Sequence, residues 1–290
     1  MKQIKSCYLC GSKNYKERAG KVRDNNCLKV LECSFCGLVF LSSFSHYNEN
    51  FYENSNMHES DYNINEWLKK TERDDVRRFK FLEQKIENKN ILDFGCGNGG
   101  FILKAKKKAS FCAAVELETR AKEFLEKQDI KITSSIEKME SGKFDLITLF
   151  HVLEHLPNPI SVLKNISGKL SENGEIIIES PNSNDALLSL YHSKYFSEFT
   201  YWSCHLYIFN EFTLKLIAEK CKFKVNFIKQ IQRYPISNHL YWLSYGKPGG
   251  HNKFHFLDSK ILNDVYESSL ASIGCCDTII ASFSNAPMVV

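Results

Sequence analysis

The segment ILDFGCGNGGF, at residues 91–101, restricts the fold more than any other part of this sequence. The apolar run NILDF predicts a buried strand, the glycines after it predict a tight turn, and GGFILKAKKKA predicts a helix. A strand that leads through a glycine-rich turn into a helix is typical of α/β proteins that hold a nucleotide-type ligand at the turn. The segment therefore predicts a ligand site at the carboxyl end of this strand.

Strand-like and helix-like segments alternate along the chain from residue 64 onward. The predicted strands span 90–94, 111–117, 130–133, 144–150, 174–181, 224–231 and 277–283, and the predicted helices span 64–88, 99–109, 119–128, 159–170, 211–221 and 257–272. This alternation predicts βαβ units and a parallel sheet. The stretch at about 232–256 is rich in aromatic residues and punctuated by Gly and Pro, so it predicts an inserted loop over the site.

The composition is that of a globular protein without a membrane-inserted segment. Of the 290 residues, 43% are apolar and 25% are charged, and the formal net charge is only +4. Apolar runs stay below the roughly 18–20 residues of a membrane span, and MKQIKSCYLC contains no apolar signal core. We therefore expect a cytoplasmic protein. The charges are spread along the chain, which argues against a nucleic-acid partner, because such partners select a concentrated basic face.

The glycine turn fits two ligand chemistries, and Asp93 distinguishes them. Gly95-x-Gly97-x-x-Gly100 is the pattern of a dinucleotide fingerprint, whereas a phosphate-binding P-loop is excluded because no Gly-Lys-Ser/Thr is present. Asp93 precedes Gly95 by two residues and would repel a pyrophosphate by about 4 kcal/mol at about 4 Å and an effective dielectric of about 20. The same carboxylate favours a cation. The turn thus favours a cationic ligand, and NAD is a minor alternative.

With these residues in place, the chain resembles the class I S-adenosylmethionine (SAM)-dependent methyltransferases. The resemblance implies an enzyme with a Rossmann-like α/β fold, which is a doubly wound, mostly parallel seven-stranded sheet. SAM carries a sulfonium and an ammonium group, so an acid beside the turn suits it. The segments that match are Asp93-x-Gly95-x-Gly97-x-Gly99, Glu116 and FDLITLFHVLEHLPNP at 144–159. The cofactor-binding residues that the resemblance implies are Asp93, Gly95, Cys96, Gly97, Asn98, Gly99, Glu116, Phe150 and His151.

The segment HVLEHLPNP follows a predicted central strand, at the sheet edge where ligands bind. In the resembling family His155 points toward the methyl acceptor, and an imidazole with an ordinary pKa of about 6.5 suits a general base at neutral pH. The related polyprenyl-quinone O-methyltransferases hold a divalent metal here, and Glu154 and His155 match two of their ligand positions. His151 replaces the third, acidic ligand, which argues against a metal. The alternative is that Glu154 and His155 form a structural hydrogen-bonded pair in a turn.

Two Cys-x-x-Cys-Gly pairs occur near the N-terminus, formed by Cys7 with Cys10 and by Cys33 with Cys36. Four thiolates in two such pairs are typical of a closed tetrahedral zinc site with a structural role. The pairs therefore predict structural Zn²⁺ in a small zinc ribbon. The remaining cysteines show no ligand spacing and are predicted to be small buried residues, at positions 27, 96, 112, 204, 221, 275 and 276.

The chain divides into three predicted parts. Residues 1–45 form the zinc-ribbon module, residues 46–88 form a linker or lid with the N-terminal helix, and residues 89–290 form the methyltransferase domain. Tyr52 and His58 in the linker are candidates to close over the cofactor.

A zinc ribbon before a class I methyltransferase resembles the sugar methyltransferases of deoxysugar and bacterial surface-glycan pathways. CYLCGS, LECSFCGLVFL, HLYIFNEFTLKLIAEKCKFKV and NHLYWLSYGKPGGH carry this resemblance. It implies methyl transfer to a hydroxyl of a sugar, sugar nucleotide or surface-glycan precursor, with His155 or His205 removing the proton. Four aromatic residues are candidates to stack on a sugar ring or base: Tyr201, Trp202, Tyr241 and Trp242.

Three alternatives remain open at this level. The acceptor atom is a carbon in the C-methyltransferases of keto-deoxysugar nucleotides. Some rRNA base methyltransferases also carry an N-terminal zinc module, although Pro181-Asn182 is not the Asn/Asp-Pro-Pro-aromatic motif of amino-group base methylation. The third alternative is a non-catalytic module that binds SAM or a partner protein.

Overall fold

The computed structural model describes residues 4–47 and 63–286, so Tyr52 and His58 lie outside the described residues. The strands are β1 Tyr15–Glu17, β2 Val30–Cys33, β3 Val39–Leu41, β4 Asn90–Phe94, β5 Phe111–Val115, β6 Lys131–Thr133, β7 Phe144–Phe150, β8 Leu170–Pro181, β9 Tyr207–Ile208, β10 Phe223–Ile231 and β11 Thr278–Asn285. The α-helices are α1 Ile64–Ile86, α2 Gly100–Ala105, α3 Thr119–Glu126, α4 Pro159–Ser167, α5 Ala186–Ser189, α6 Lys194–Thr200, α7 Glu211–Cys221, α8 Ile236–Tyr245, α9 Gly250–Lys253 and α10 Lys260–Ser272.

Seven strands form one sheet in the order β10-β11-β8-β7-β4-β5-β6. Strands β8, β7, β4, β5 and β6 pair in parallel, while β11 runs antiparallel to both β8 and β10. This confirms the predicted α/β class with a mostly parallel seven-stranded sheet. The strand order reverses between β4 and β7, and ligands of such sheets bind at the carboxyl ends of the strands beside that reversal.

Successive residues of the central strands face two different cores. Ile91 packs in one core with Leu82 and Phe101, whereas its neighbour Leu92 packs in the other with Leu163. Each of these five side chains is at most 2% exposed, and burying one stabilises the fold by about 1.5–3 kcal/mol. Burial on both faces explains why these strands are apolar runs without polar alternation.

A second sheet of four strands has the order β1-β2-β3-β9. Its first three strands come from the N-terminal module with the cysteine pairs, but β9 comes from residues 207–208. Val39 pairs with Ile208, and the amide of Leu41 donates to the carbonyl of Leu206 at 3.1 Å. The N-terminal module is therefore joined through a shared sheet to the segment that contains His205.

The predicted inserted loop at 232–256 is wrong, because most of the segment is helical. Helix α8 begins after Pro235 and ends at Gly246, whose φ of 63° forms a left-handed cap. The Gly and Pro residues thus mark helix ends. Tyr241 and Trp242 lie inside the helix and are buried, and Tyr241 stacks on Tyr245 with ring centroids 4.7 Å apart.

The expectation that all remaining cysteines are buried is wrong for Cys27, which is exposed, and Cys96 and Cys275 are only partly buried. Cys27 lies in the turns between β1 and β2, where no core forms around it.

Among the described residues, none of the helices combines the length and the apolar character that crossing a membrane requires. The cytoplasmic location stays a prediction.

Candidate active site

The turn after β4 holds three glycines in the left-handed region. Gly95, Gly97 and Gly99 have φ values of 70°, 55° and 78°, which strain any other residue. A Cβ atom on Gly95 would also collide with Val152, and one on Gly99 would collide with Leu125. The turn can therefore be this tight only with glycine at these positions.

Glu116 lies directly after β5 and is bonded to the glycine turn. Its Oε2 accepts the amide of Gly97 at 2.7 Å, and its Oε1 accepts the amides of Leu117 at 2.7 Å and Glu118 at 3.0 Å. Burial raises the pKa of Glu116, and the three amides act in the opposite direction. Oε1 accepts two amides and has no free lone pair, whereas Oε2 accepts one and can still accept a hydrogen bond from a ligand hydroxyl.

Asp93 lies in β4, immediately before the turn, and is only 2% exposed. The hydroxyl of Thr148 donates to its Oδ1 at 2.7 Å. Burial raises the pKa of Asp93 to about 7, although the bond from Thr148 lowers it. Both protonation states are therefore populated near neutral pH, and a cation bound nearby would favour the ionised state.

Two of the predicted cofactor residues, Asn98 and Cys96, have side chains that contact neighbouring parts of the protein. The Asn98 amide donates to the Thr71 hydroxyl at 2.8 Å, and its Oδ1 accepts the amide of Gly100 at 2.9 Å. Thr71 in turn donates to Asp75 of α1 at 2.7 Å. Cys96 is partly buried, and burial raises the pKa of its thiol well above the ordinary value. Asn98 thus fastens the turn to α1.

A buried network of charges, which the sequence analysis missed, joins α1 to β8. Arg78 donates to Glu179 from Nε at 3.0 Å and from Nη2 at 2.7 Å, and Arg77 donates to the same carboxylate at 2.9 Å. Arg233 forms an ion pair with Asp74. Burial alone would raise the pKa of Glu179, but the guanidinium of Arg78 holds it well below its ordinary value. Glu179 within the apolar run of β8 was the available signal, because a buried charge requires a partner.

Phe150 and His151 follow one another at the carboxyl end of β7. The guanidinium of Arg78 lies 4.6 Å from the centroid of the Phe150 ring. His151 has a φ of 55°, and its Nδ1 lies 3.1 Å from Glu154 Oε1. Its Nε2 lies 3.0 Å from Nη1 of Arg233. Both ring nitrogens of His151 are therefore engaged within the protein.

His155 and His205 lie against each other, with ring centroids 4.9 Å apart. Nδ1 of His155 lies 2.9 Å from the carbonyl oxygen of Cys204 and donates to it. Burial lowers the pKa of His155, and it lowers the pKa of His205 to about 3, so both rings are neutral at pH 7. Burial alone would raise the pKa of the fully buried Glu154, but His151 lowers it to about 2. A carboxylate is thus held beside two neutral imidazoles.

Glu154, His155 and His205 each offer a ligand atom, and these atoms lie within 4.8 Å of one another. Imidazole and carboxylate suit a transition metal or zinc, so the three residues form a candidate metal cluster. His205 completes it from a segment 50 residues later in the chain. Glu154 is also bonded to His151 and to the hydroxyl of Ser180, at 3.3 Å.

A cleft of about 330 Å³ opens beside His151 and His205. Its lining combines charged groups, neutral polar groups and aromatic rings. The residues are Arg23, His151, Pro181, Asp185, Leu187, Phe196, Phe199, Thr200, His205, Arg233, Tyr234, Asn238, His239, Trp242, Pro248, His251, Asp277 and Thr278. Trp242 therefore lines the cleft, whereas Tyr201, Trp202 and Tyr241 do not belong to its lining, and His155 lies behind His205.

The four predicted zinc ligands converge in the N-terminal module. Their Sγ atoms lie within 4.8 Å of one another, with Cys7 and Cys36 at 3.5 Å and Cys10 and Cys33 at 3.5 Å. Tetrahedral zinc with bonds of about 2.3 Å places its sulfur ligands at comparable separations. The four cysteines therefore fit a closed zinc site.

The sheet and the turn together define a class of protein. A mostly parallel seven-stranded sheet, a glycine turn at the strand-order reversal and an acid after the next strand are those of a SAM-dependent methyltransferase. A family profile described as a methyltransferase domain matches residues 64–226, more than half of the chain, and the chain belongs to that family. The chain therefore contains a methyltransferase domain.

The relatives share part of the chain. A ubiquinone biosynthesis O-methyltransferase of Coxiella burnetii (strain RSA 493 / Nine Mile phase I) is 29% identical over 118 residues, which cover 37% of this chain and 50% of the relative. A ubiquinone biosynthesis O-methyltransferase of Histophilus somni (strain 2336) is 25% identical over 122 residues, which cover 36% of this chain and 51% of the relative. The chain thus spans about half the length of the curated relatives it matches.

A solved structure supports the fold. It is a SAM-dependent methyltransferase of Thermotoga maritima, with a TM-score of 0.50 and 15% identity, and the match covers 77% of this chain and 96% of that one.

Proposed function

We propose that this enzyme transfers the methyl group of SAM to a hydroxyl of a hydrophilic acceptor, namely a sugar, a sugar nucleotide or a surface-glycan precursor. The observation that carries the proposal is the cleft of about 330 Å³, which has a neutral imidazole, His205, in its wall and combines polar and charged side chains with aromatic and aliphatic ones. Sugars offer many hydroxyl groups to such a lining, and the exposed ring of Tyr234 in the lining suits the apolar face of a sugar.

A phenolic precursor of a quinone is the second candidate, because the curated relatives are named as ubiquinone biosynthesis O-methyltransferases. The similarity to those relatives covers little more than a third of this chain. An acceptor with a polyprenyl tail needs a continuous apolar channel, whereas in this cleft Leu187 and Phe196 are interspersed with polar groups such as Arg23 and Asp185. The lining therefore favours the sugar, and C-methylation of a keto-deoxysugar nucleotide remains within that class.

For the cofactor, we assign SAM to the turn formed by Gly95, Gly97 and Gly99. Asp93 lies in β4 just before this turn and favours the positive charge of the cofactor, and Glu116 accepts a ribose hydroxyl at its Oε2. Phe150 and His151 border the cofactor at the end of β7. Cys96 contributes its backbone and small size, and Asn98 acts by holding the turn against α1.

His205 is assigned as the base, because it lines the cleft. Its pKa is lowered to about 3 by burial, so it takes the proton as the bond between the acceptor oxygen and the methyl group forms and the hydroxyl becomes acidic. His155 is a positioning residue that packs behind it and is tied to the Cys204 carbonyl. The buried carboxylate of Glu154 stabilises the imidazolium that forms. The methyl transfer itself depends mostly on aligning the acceptor with the sulfonium methyl.

Structural Zn²⁺ is assigned to Cys7, Cys10, Cys33 and Cys36. Four sulfur ligands leave no open coordination position, so the ion would stabilise the module and take no part in the reaction.

The test is to incubate the full chain with SAM labelled in its methyl group and a panel of acceptors. The panel contains nucleotide sugars, glycan precursors, catechols with short prenyl tails, and rRNA. Mass spectrometry of the products should find the label on a sugar hydroxyl. Label on a catechol alone would support the second candidate, and label on rRNA alone would contradict both.

A further inference from the structure

Arg23 belongs to the N-terminal module, yet its side chain lines the cleft of the methyltransferase. Its amide donates to the carbonyl of Tyr201 at 3.0 Å. The guanidinium carbon lies 4.7 Å from the ring centroid of Trp202 and 5.3 Å from that of Phe199. Two aromatic faces therefore hold the guanidinium plane in place, which reduces the entropy that the side chain loses when it binds a ligand.

The charge of Arg23 is not balanced by a carboxylate within residues 4–47 and 63–286, where no acidic group lies within ion-pair distance of it. The adjacent Asp24 is already bonded to Ser203, accepting its amide at 2.9 Å and its hydroxyl at 2.6 Å. The other interaction of the guanidinium is a long bond of 3.4 Å to the Phe199 carbonyl. Its remaining N–H groups are therefore available to a ligand in the cleft.

The other charged groups of the cleft are paired with an opposite charge, hydrogen-bonded to backbone amides or mostly neutral. Arg233 pairs with Asp74. Asp277 accepts the amides of Arg233 and Tyr234 at 3.0 Å each. Burial, together with the nearby Asp277, raises the pKa of Asp185 to about 8, so this carboxyl is mostly neutral at pH 7. Arg23 is thus the cation of this lining that is left for an anionic ligand to bind.

We propose that Arg23 binds a phosphate group of the methyl acceptor, so that the N-terminal zinc-binding module forms part of the acceptor site. This inference rests on the proposed function, in which the acceptor is a sugar derivative. A guanidinium meets two phosphate oxygens with parallel N–H donors, which gives orientation as well as affinity. The acceptor is therefore a phosphorylated sugar, either a nucleotide sugar or a sugar phosphate, and a free sugar is a poor substrate.

The experiment measures the binding of inorganic pyrophosphate and of uridine diphosphate to the full chain, saturated with S-adenosylhomocysteine, by titration calorimetry. R23Q should weaken both by about 10-fold to 100-fold, as expected for a hydrogen-bonded charge pair. K13Q is the matched control, because Lys13 is an exposed cation of the same module outside the cleft lining. The K13Q variant should bind pyrophosphate and uridine diphosphate as tightly as the wild type does.

Zinc content and melting temperature establish whether R23Q is folded. If it is not, R23K decides, because lysine keeps the charge but lacks the planar fork and should bind pyrophosphate more weakly. The proposal is overturned if the wild type binds neither probe, if the folded Arg23 variant binds both as the wild type does, or if K13Q weakens binding as much as R23Q.

Turnover assays then distinguish a failure of this inference from a failure of the proposed function. They also show whether the bound phosphate belongs to a nucleotide sugar or to a sugar phosphate. With nucleotide sugars, sugar phosphates and free sugars as acceptors, R23Q should raise KM for the phosphorylated compounds only. A rise confined to nucleotide sugars identifies the diphosphate as the ligand. If no sugar is methylated but Arg23 still governs pyrophosphate binding, the proposed function fails and the anion site stands. If free sugars are methylated as well as their phosphates, the inference fails and the proposed function stands.

Discussion

The proposed cofactor side and the proposed acceptor side of the active site are built in different ways. The proposed cofactor side comes mostly from one short stretch, residues 93–118, in which Glu116 accepts the amide of Gly97 in the turn and the amides of Leu117 and Glu118. Phe150 and His151 join it from the end of β7. The proposed acceptor side combines His155 with His205, 50 residues later, and with Arg23 from the N-terminal module. The first depends on local sequence, and the second depends on tertiary and inter-module packing. Variants should therefore separate cofactor binding from turnover.

The largest expected effect is on turnover. H205A removes the imidazole in the cleft wall, and we expect kcat to fall by about 100-fold to 10,000-fold, the range of a positioned general base. SAM affinity should remain within about 3-fold of the wild type, because a side chain that acts only in the chemical step adds little to cofactor binding. Single-turnover rates with labelled SAM and equilibrium dialysis measure the two quantities.

H192A is the control for this variant, since His192 is exposed and lies outside the cleft. An H205A enzyme that keeps wild-type kcat would place the base elsewhere. A parallel loss of SAM affinity would show that the two sides of the site are not separable.

The next largest effect tests whether the proposed zinc site of the N-terminal module supports the acceptor side and leaves the cofactor side unaffected. C33S removes one of the four sulfur ligands, so zinc should be lost and the sheet that contains β9 should loosen around His205. We expect turnover to fall by about 100-fold, which a displacement of about 1 Å can cause, with SAM affinity nearly unchanged. C27S is the matched control, because Cys27 is exposed and outside the cluster. Metal analysis should find zinc in C27S, and full activity of zinc-free C33S would contradict the link.

The contacts that could be predicted from the sequence are those between residues close together in the chain, and the contacts that could not are long-range. The glycine turn, Asp93 and Glu116 lie close together in the chain, and their spacing indicated their proximity. The contacts of Arg78 with Glu179 span about a hundred residues, and no local pattern relates them. The contact of His155 with His205 is likewise long-range.

Helix α8 was missed for a different reason. Its sequence is punctuated by Pro235 and Gly246, which were interpreted as signs of a loop. They stand at its two ends, where Pro and Gly are compatible with a helix. Only ten residues lie between them, fewer than the roughly 11–18 over which a helical period becomes evident.

A smaller effect is expected at the cofactor side. E116Q keeps the size of the side chain but removes its charge, and it weakens hydrogen bonds to the ribose and to the amide of Gly97. SAM affinity should fall by about 10-fold, the lower end for a hydrogen bond to a charged group. E140Q, at an exposed glutamate on the surface, should bind SAM normally. If E116Q keeps wild-type affinity and loses kcat instead, the proposed placement of the cofactor is wrong.

The smallest effect concerns the pH dependence of SAM binding and involves Asp93. Its pKa in the free protein is raised to about 7 by burial, so the carboxyl is mostly protonated below that pH and mostly ionised above it. Because the cation of SAM favours the ionised form, SAM affinity should rise with pH through about 7, by less than 10-fold per pH unit. D93N removes this titration while keeping an acceptor for the hydroxyl of Thr148. Titration calorimetry between about pH 6 and 8.5, on the wild type and on D93N, separates the titration of Asp93 from that of SAM itself. If both proteins show the same slope, Asp93 does not sense the cofactor charge, and the preference of the turn for a cation must come from elsewhere.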